Sequence, residues 1–258
     1  MCKLIIDIGN SNVVIGYYTN HKWEKIWRLP TNKEADKLYY GYKINELLFE
    51  NNVNTKDIEF IIFSSVVPQL TEIFNELLKK INPHTIHFNR TYFNQLPIEI
   101  PVQDEIGTDL VANALATHFL YKQNAIIVDF GTALTFTAVD KTGKILGVNI
   151  APGIKTAIST LDEKTSQLDK VEIQFPENPL GTNTQEAIQN GILIGYQGMI
   201  EKMIEVISQY LNDDFKIIFT GGLAYLFADK IKINHYEKNL TLIGLLEAGK
   251  IISNPKNN

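Results

Sequence analysis

The sequence predicts an α/β protein made of two duplicated lobes, each a mixed β-sheet flanked by helices, with a cleft between them. The first observation is a buried strand near the middle of the chain that closes on Asp129 and leads into a turn at Gly131. The second is the same pattern near the N-terminus, where Asp7 and Gly9 match Asp129 and Gly131 at a constant offset of 122. Such turns point backbone N–H groups at an anion, so the two lobes together could hold a polyphosphate.

A second pair of matching segments supports the duplication. Residues 59–65 form an apolar strand pattern that ends in two serines, and residues 216–222 form one that ends in Thr-Gly-Gly. Each is followed by a helical pattern, and their order within the two halves is the same. We therefore expect an N-terminal lobe over residues 1–110 and a C-terminal lobe over residues 111–258, joined at a helix over 111–122.

Hydrophobic periodicity and turn residues define the elements of the first lobe. In chain order they are strands over 4–7, 13–18 and 22–29, a helix in the second half of 31–52, a strand over 60–63, a helix over 68–80 and a strand over 84–88. Asn20-His21 supplies the turn between the second and third strands, and Pro68 suits the first turn of its helix. The polar, proline-containing stretch 94–104 is predicted to be a loop.

The helix that joins the lobes follows this loop. Its predicted inward face consists of Ala112, Leu115, Ala116 and Phe119. Either Thr108 or Asp109 would be its N-cap, because their side-chain oxygens can accept the first N–H groups of a helix. Asp109 therefore has two interpretations, a helix cap or a chemically active carboxylate, and spacing alone does not choose between them.

The second lobe repeats the plan of the first. Its elements are strands over 126–129, 134–140 and 144–150, a helix to about Thr165 after a break at Ala151-Pro152-Gly153, a helix over 185–210 capped by residues 181–184, a strand over 216–219 and a helix over 242–252. In the long helix, Gly191, Gly195 and Gly198 recur on nearly one face. This pattern is typical of close helix packing or of a contact between subunits.

Composition excludes several classes of protein. The net charge is −5 and there is no long basic run, which argues against a general nucleic-acid surface. No apolar run approaches the roughly 18–20 residues that span a bilayer. The single cysteine, Cys2, precludes an internal disulfide, and the apolar stretch between Lys3 and Asp7 is too short for a signal-peptide core. We expect a cytoplasmic protein with no membrane partner.

The two glycine turns carry the clearest chemistry. They can cradle different phosphates of one nucleotide, with the hydroxyls of Ser11 and Thr132 as additional donors. Asp7 could hold Mg²⁺ through water, and Asp129 could bind a cation directly. The alternative is that both carboxylates only accept hydrogen bonds from amides of their own turns.

Other motifs are weaker or missing. His84 and His87 are three residues apart on a predicted strand, which puts their side chains on opposite faces and disfavours a shared metal. The chain has neither Gly-x-x-x-x-Gly-Lys-[Ser/Thr] nor Gly-x-Gly-x-x-Gly after a strand. A P-loop enzyme and a Rossmann dehydrogenase are therefore both disfavoured.

Several motifs, taken together and in order, resemble those of type III pantothenate kinases. They are Asp7-Ile8-Gly9-Asn10-Ser11, Gly107-Thr108-Asp109, Val128-Asp129-Phe130-Gly131-Thr132-Ala133, Ala151-Pro152-Gly153, Asn183-Thr184 and Thr220-Gly221-Gly222. The resemblance covers nearly the whole chain. It implies the actin-like, or ribonuclease H-like, fold of the acetate and sugar kinase, Hsp70 and actin superfamily. It also implies ATP-dependent phosphorylation of pantothenate, the first step toward coenzyme A, by a homodimer that needs Mg²⁺ and K⁺ or NH₄⁺.

The resemblance also implies roles for individual residues. Asp109 is the expected general base, Asp129 the ligand of the monovalent cation, and Asp7 the residue that holds Mg²⁺ through water. The expected ATP-binding residues are Asp7, Ile8, Gly9, Asn10, Ser11, Asn12, Val13, Val14, Gly131, Thr132, Gly221 and Gly222. The expected pantothenate-binding residues are Gly107, Thr108, Asp109, Leu110 and Thr184.

The chain departs from the family pattern at a few positions. Leu110 stands where Arg is usual, Val148-Asn149 where Gly-Gly is common, and Ile100 where many members have Tyr. An Arg after Asp109 would be a cationic partner for polar substrate groups, which Leu cannot be. Two alternatives therefore stay open: a non-catalytic nucleotide-binding regulator of transcription, and a kinase of another small hydroxy acid.

Overall fold

A computed structural model describes residues 2–165 and 173–254 of the chain. These residues fall into two compact units. The first unit contains the described residues up to Leu120 together with those from Thr241 onward, and the second unit spans Tyr121–Leu240.

The secondary structure of the described residues alternates short groups of strands with helices. The strands are β1 (Cys2–Ile8), β2 (Asn12–Thr19), β3 (Lys22–Pro30), β4 (Ile58–Ser65), β5 (Thr85–His87), β6 (Ala125–Phe130), β7 (Ala133–Val139), β8 (Ile145–Pro152), β9 (Lys216–Gly221) and β10 (His235–Tyr236). The helices are α1 (Lys37–Glu50), α2 (Pro68–Ile81), α3 (Thr108–Tyr121), α4 (Ile154–Thr165), α5 (Thr184–Leu211) and α6 (Leu240–Ser253).

Each unit contains a mixed sheet, and the two sheets have the same topology. The first has the order β3-β2-β1-β4-β5, and the second has the matching order β8-β7-β6-β9-β10. In both, the first three strands form an antiparallel meander and the last two pair in parallel. The predicted duplication and the predicted fold class are confirmed by this match.

The pairing register also repeats between the two sheets. Asp7 of β1 lies opposite Ser64 of the parallel strand β4, and Asp129 of β6 lies opposite Thr220 of β9. Each strand-terminal carboxylate therefore has a hydroxyl-bearing residue beside it on the next strand. Ser64 and Thr220 are both almost completely buried.

Each sheet packs its own helices over an apolar core. In the first unit, β1 and β4 contribute Leu4, Ile6, Ile61 and Phe63, while α1 and α2 contribute Tyr40, Ile44, Leu70 and Phe74. In the second unit, alternate residues of β6 and β7 pack with α4 and α5, including Val128, Phe136, Ile154, Leu193 and Ile200. The period of two in the strands and the longer period in the helices explain why these residues share one side.

Helix α3 is buried on every side for most of its length. All eight residues from Leu110 to Thr117 are buried, so the helix has no solvent-facing stripe there. The interpretation of Phe119 as inward-facing is wrong, since 39% of its surface is exposed. An apolar helix gives little periodic contrast from which an inward face could be chosen.

The start of α3 also differs from the prediction. The helix begins at Thr108 rather than near residue 111, and the N–H of Val111 donates to the carbonyl of Gly107. Gly107 therefore occupies the N-cap position, and Asp109 lies inside the first turn. The helix-cap interpretation of Thr108 and Asp109 is not what the structure shows.

Helix α6 returns to the first unit and packs on α3. The hydroxyl of Thr241 donates to Oδ1 of Asn113 at 2.9 Å, and Gly244 lies directly against the backbone of Ala112. Gly249 lies against the ring of Phe60. This packing places α3 and α6 in the unit of the N-terminal sheet, so the unit boundaries differ from the expected division between residues 110 and 111.

The glycine stripe of α5 faces open space within the chain. Among the described residues, none has an atom within 4 Å of a Cβ placed on Gly191, Gly195 or Gly198. The contact between subunits stays a prediction. Elsewhere the segment after residue 89 forms a short 3₁₀ helix, Arg90–Gln95, before the predicted loop.

The helices show no membrane span. Among the residues that the structure describes, none of the helices is long and apolar enough to cross a bilayer.

Replacing Gly244 by Ala tests the packing of α6 on α3. The new methyl group would overlap the Ala112 carbonyl, so we expect the free energy of unfolding to fall by about 1–3 kcal/mol. Urea titration followed by circular dichroism would measure it. Gly41→Ala in α1 is the matched control, because its Cβ would meet only the flexible end of Leu77, at 3.2 Å. Equal losses in the two variants would contradict the packing.

Candidate active site

The N-terminal turn is held in shape by hydrogen bonds to its backbone. The N–H of Gly9 donates to the carbonyl of Asn12 at 2.9 Å, and the hydroxyl of Thr31 donates to the carbonyl of Gly9 at 2.7 Å. At the end of β1, the hydroxyl of Ser64 donates to Oδ1 of Asp7 at 2.8 Å. The Gly9 N–H therefore closes the turn instead of pointing outward.

The residues of this turn divide into a buried frame and an exposed tip. Ile8, Val13 and Val14 are buried, so only their backbone groups could meet a ligand. The exposed tip is formed by Asn10, Ser11 and Asn12. Of the predicted ATP-binding residues in this unit, the tip residues are the ones whose side chains a phosphate could reach.

The matching turn of the second unit has a similar construction. The N–H of Gly131 donates to the carbonyl of Ala133 at 3.1 Å. The carbonyl of Thr132 accepts from the N–H of Gly153 at 2.9 Å and from the hydroxyl of Thr156 at 2.7 Å. A side chain on Gly153 would overlap the carbonyls of Gly131 and Thr132, which explains the Pro-Gly before α4.

Gly221 makes room for the carboxylate of Asp129. Its φ of +92° is unfavourable for residues with a side chain. A Cβ at this position would lie 2.5 Å from Oδ1 of Asp129 and 2.6 Å from the backbone nitrogen of Phe130. Gly222 differs from it, since a Cβ there would meet nothing within 4 Å.

Asp109 is a partly buried carboxylate in the first turn of α3. Its Oδ1 accepts a hydrogen bond from the N–H of Leu110 at 2.9 Å. A side chain on Gly107 would overlap the same oxygen, so Gly107 makes room for Asp109 as Gly221 does for Asp129. Burial raises the pKa of Asp109 because the ionised form loses solvation, and the hydrogen bonds from backbone N–H groups oppose this shift only in part.

The other predicted substrate residues have different surroundings. Leu110 is buried with 7% of its surface exposed, and the hydroxyl of Thr108 is buried without a hydrogen-bond partner in the described part of the chain. Thr184 is exposed as the first residue of α5. The helix is capped by Asn183, whose Oδ1 accepts from the N–H of Glu186 at 3.0 Å.

The carboxylates of Asp7 and Asp129 could each be one ligand of a cation that has other ligands as well. Within the described ranges there is no cluster of three or more His, Cys, Asp or Glu side chains that could hold a metal ion. Mg²⁺ in phosphoryl-transfer sites is usually bound by one or two carboxylates together with waters and substrate phosphates. A single hydrogen-bonded carboxylate such as Asp7 fits this pattern, and so does Asp129 for a weakly held monovalent cation.

The structure distributes the predicted residues between the two units. The first unit carries the Asp7 turn and residues 107–110, and the second carries Asp129, the Gly131 turn, Gly221 and Thr184. The sequence-based prediction did not include the contact between Ser64 and Asp7. A signal was present, because the serines after the strand at 60–63 align with Thr-Gly after the strand at 216–219.

The duplicated sheets and their Asp–Gly turns define the actin-like fold. Solved structures with this fold include a Baf family transcriptional activator from Campylobacter jejuni, with 20% identity, 98% coverage of both chains and a TM-score of 0.59. An activator of 2-hydroxyisocaproyl-CoA dehydratase from Clostridium difficile, with bound ADPNP, is 11% identical over 100% of this chain and 98% of that chain, with a TM-score of 0.58.

Sequence comparison gives the family. The family model for type III pantothenate kinase matches residues 3–206. The type III pantothenate kinase of Citrifermentans bemidjiense is 36% identical over 246 residues, covering 94% of this chain and 96% of the relative. That of Treponema pallidum is 36% identical over 256 residues, covering 96% and 94%. The chain belongs to the type III pantothenate kinase family.

Replacing Gly221 by Ala tests the close approach of backbone and carboxylate. The methyl group would collide with Asp129 in a strained backbone conformation, so we expect the free energy of unfolding to fall by about 1–3 kcal/mol. Thermal or urea unfolding would measure the loss. The adjacent Gly222→Ala has open space and should change stability by less than about 0.5 kcal/mol. A Gly221→Ala variant as stable as the wild type, together with a destabilised Gly222→Ala variant, would contradict the described geometry.

Proposed function

We propose that this chain transfers the γ-phosphoryl group of ATP to the hydroxyl of pantothenate, with Asp109 as general base. The product would be 4'-phosphopantothenate, the first intermediate on the way to coenzyme A. Membership of the family, over almost the full length of the curated relatives, supports the reaction. The observation that carries the role of Asp109 is its desolvated carboxylate in the first turn of α3.

Asp109 suits the proton transfer that this reaction needs. Phosphoryl transfer passes through a loose transition state, so the hydroxyl proton can leave late and a carboxylate can accept it. Burial raises the pKa of Asp109 and makes it a stronger base than an exposed aspartate. The hydrogen bond from the Leu110 N–H fixes the orientation of the carboxyl group.

The phosphates of ATP would be held at the exposed tips of the two turns. The N–H groups of Gly9 and Gly131 are engaged within their turns, so we assign phosphate contact to Asn10, Ser11 and Asn12 in one unit and to Thr132 in the other. We assign Asp7 to Mg²⁺ through water and Asp129 to the monovalent cation. When bound, these cations would neutralise charge on the phosphates.

The substrate pocket is the part of the proposal that this chain alters most. The buried Leu110 cannot supply the cationic contact that Arg would give to polar substrate groups. Arg90, which lies in the same unit, forms an ion pair with Asp104, with 2.7 Å between its Nη1 and Oδ1 of Asp104. We propose that Gly107, Thr108 and Thr184 contact pantothenate and that its affinity for this pocket depends on hydrogen bonds more than on an ion pair.

We propose that the active protein is a homodimer formed through α5. Gly191, Gly195 and Gly198 face open space within the chain, and the neighbouring Ile194 is exposed at 42%. Such a face allows a second helix to approach closely. Sedimentation showing only monomer at assay concentrations would contradict this assignment.

We also propose a cytoplasmic location. It is consistent with Cys2, which is buried and forms no disulfide.

The reaction is tested by measuring ADP release from ATP and Mg²⁺, with and without pantothenate, in K⁺ and then in Na⁺ buffer. We expect turnover that depends on pantothenate and falls when Na⁺ replaces K⁺. Turnover with a different small hydroxy acid, and none with pantothenate, would overturn the substrate assignment. ATP binding without turnover on any such acid would instead favour the regulatory alternative.

Asp109→Asn tests the general base. The variant keeps an oxygen that can accept from the Leu110 N–H, so the fold should remain while kcat falls by about 10²–10⁴. Asp104→Asn is the control, since this carboxylate is 81% exposed, and kcat should change less than about twofold. A near-normal kcat for Asp109→Asn would leave Asp109 with a structural role only.

The wild type and Asp109→Asn also test the raised pKa of Asp109. The base is lost as pH falls through the raised pKa of Asp109, so the acid limb of the kcat/KM profile, which reports the enzyme without bound substrate, should lie above the ordinary aspartate value of about 4. In the unfolded chain this carboxyl ionises more readily, so its contribution to stability falls as pH rises through that value. Asp109→Asn should therefore be no less stable than the wild type at neutral pH.

A further inference from the structure

We propose that Ser64 is a positioning residue that orients the Asp7 carboxylate toward the Mg²⁺ that accompanies ATP. This inference rests on the proposed function. It assigns to a buried serine a specific effect on the metal-dependent part of nucleotide binding.

The geometry of Ser64 is fixed by the sheet. It lies opposite Asp7 in the parallel ladder between β1 and β4, and the hydrogen bond from its hydroxyl to Oδ1 of Asp7 is 2.8 Å long. Just after β4, the N–H of Val66 donates to the carbonyl of Ile8 at 3.0 Å. The backbone positions of Asp7 and Ser64 are therefore fixed beside each other by the pairing of the two strands.

The surroundings of Ser64 make its hydroxyl unusual. The residues before it in β4, from Phe60 to Phe63, are apolar and buried, and Ser64 itself has 0% of its surface exposed. A buried hydroxyl is costly unless it is hydrogen-bonded, and here its acceptor is the strand-terminal carboxylate. The hydrogen bond to Asp7 therefore offsets the cost of burying this hydroxyl.

The second unit contains the same arrangement. Thr220 lies opposite Asp129 in the ladder between β6 and β9, and 1% of its surface is exposed. Both sheets thus place one buried hydroxyl residue beside the carboxylate that ends the central strand. The position of Ser64 beside Asp7 is therefore part of the duplicated frame.

The chemistry of the contact explains the positioning role of Ser64. A serine hydroxyl donates one hydrogen bond, whereas a carboxylate can accept about four. The bond therefore orients the Asp7 carboxylate without occupying all of its acceptor sites. Groups that orient a metal-binding residue in this way typically change metal affinity by about 10–100-fold when removed.

Ser65 provides a matched control in the next position. Its hydroxyl bonds to the carbonyl of Val67 at 3.1 Å and accepts from the hydroxyl of Thr71 at 2.9 Å, near the start of α2. Removing it should affect the local packing of the helix. It has no described contact with Asp7, so metal-dependent binding should not change.

The experiment compares nucleotide binding with and without metal. Calorimetry would give the affinity of the wild type, Ser64→Ala, Ser64→Thr and Ser65→Ala for the non-hydrolysable analogue AMPPNP, first in EDTA and then in excess Mg²⁺. The ratio of the two affinities isolates the metal-dependent part of binding. We expect Ser64→Ala to lower this ratio by about tenfold, with the EDTA affinity within about twofold of the wild type. Ser64→Thr should restore the ratio, as Thr220 occupies the same position in the second sheet.

Several outcomes would overturn the proposal. An unchanged ratio in Ser64→Ala, an equal loss in EDTA and Mg²⁺, or the same fall in Ser65→Ala would each show a purely structural role. The absence of any Mg²⁺ effect in the wild type would do the same. If Ser64→Ala is unstable, Ser64→Cys, whose thiol is only a weak donor, alone and combined with Asp7→Asn keeps the test decisive, because loss of the hydroxyl should add nothing once the carboxylate is gone.

This readout is independent of catalysis. If pantothenate is not phosphorylated but the affinity ratio still falls in Ser64→Ala, the proposed function fails and the role of Ser64 stands. If turnover is normal and the ratio does not move, only the role of Ser64 fails.

Discussion

The structure depends on placing aspartate carboxylates close to the backbone of glycine residues, which have no side chain. Asp129 and Asp109 each have a glycine where any Cβ would collide with their Oδ1, Gly221 in one case and Gly107 in the other. The glycines therefore do more than form turns, since they allow a charged group to lie at the end of a strand or the start of a helix. Strand β6 holds Asp129 in place, and the first turn of α3 holds Asp109.

Much of the fold could be predicted because the chain repeats itself. The constant offset between Asp7 and Asp129 predicts matching central strands, and the matched segments that follow predict the parallel neighbours that both sheets contain. Local signals were also sufficient for α5, where the observed N-cap Asn183 lies within the predicted capping segment 181–184. In these places the residue pattern and the tertiary structure agree, so sequence alone was enough.

The remaining features arise from contacts that are distant in sequence. The inward face of α3 could not be chosen because Leu110 to Thr117 are buried on every side, and the unit boundary depends on Gly244 of α6 reaching Ala112. The glycine turns were expected to offer their N–H groups to an anion. In the structure the Gly9 and Gly131 groups are satisfied by carbonyls two or three residues ahead, a detail that a motif does not contain.

The return of α6 to the first unit also bears on how the protein is made. Thr241 and Asn113, which α6 and α3 bring into contact, are 128 residues apart in the chain. Because α6 leaves the ribosome only after the whole second unit, the N-terminal sheet spends most of translation without the helix that covers α3. Contacts of such long sequence separation slow folding, so the unit that is synthesised first is completed last.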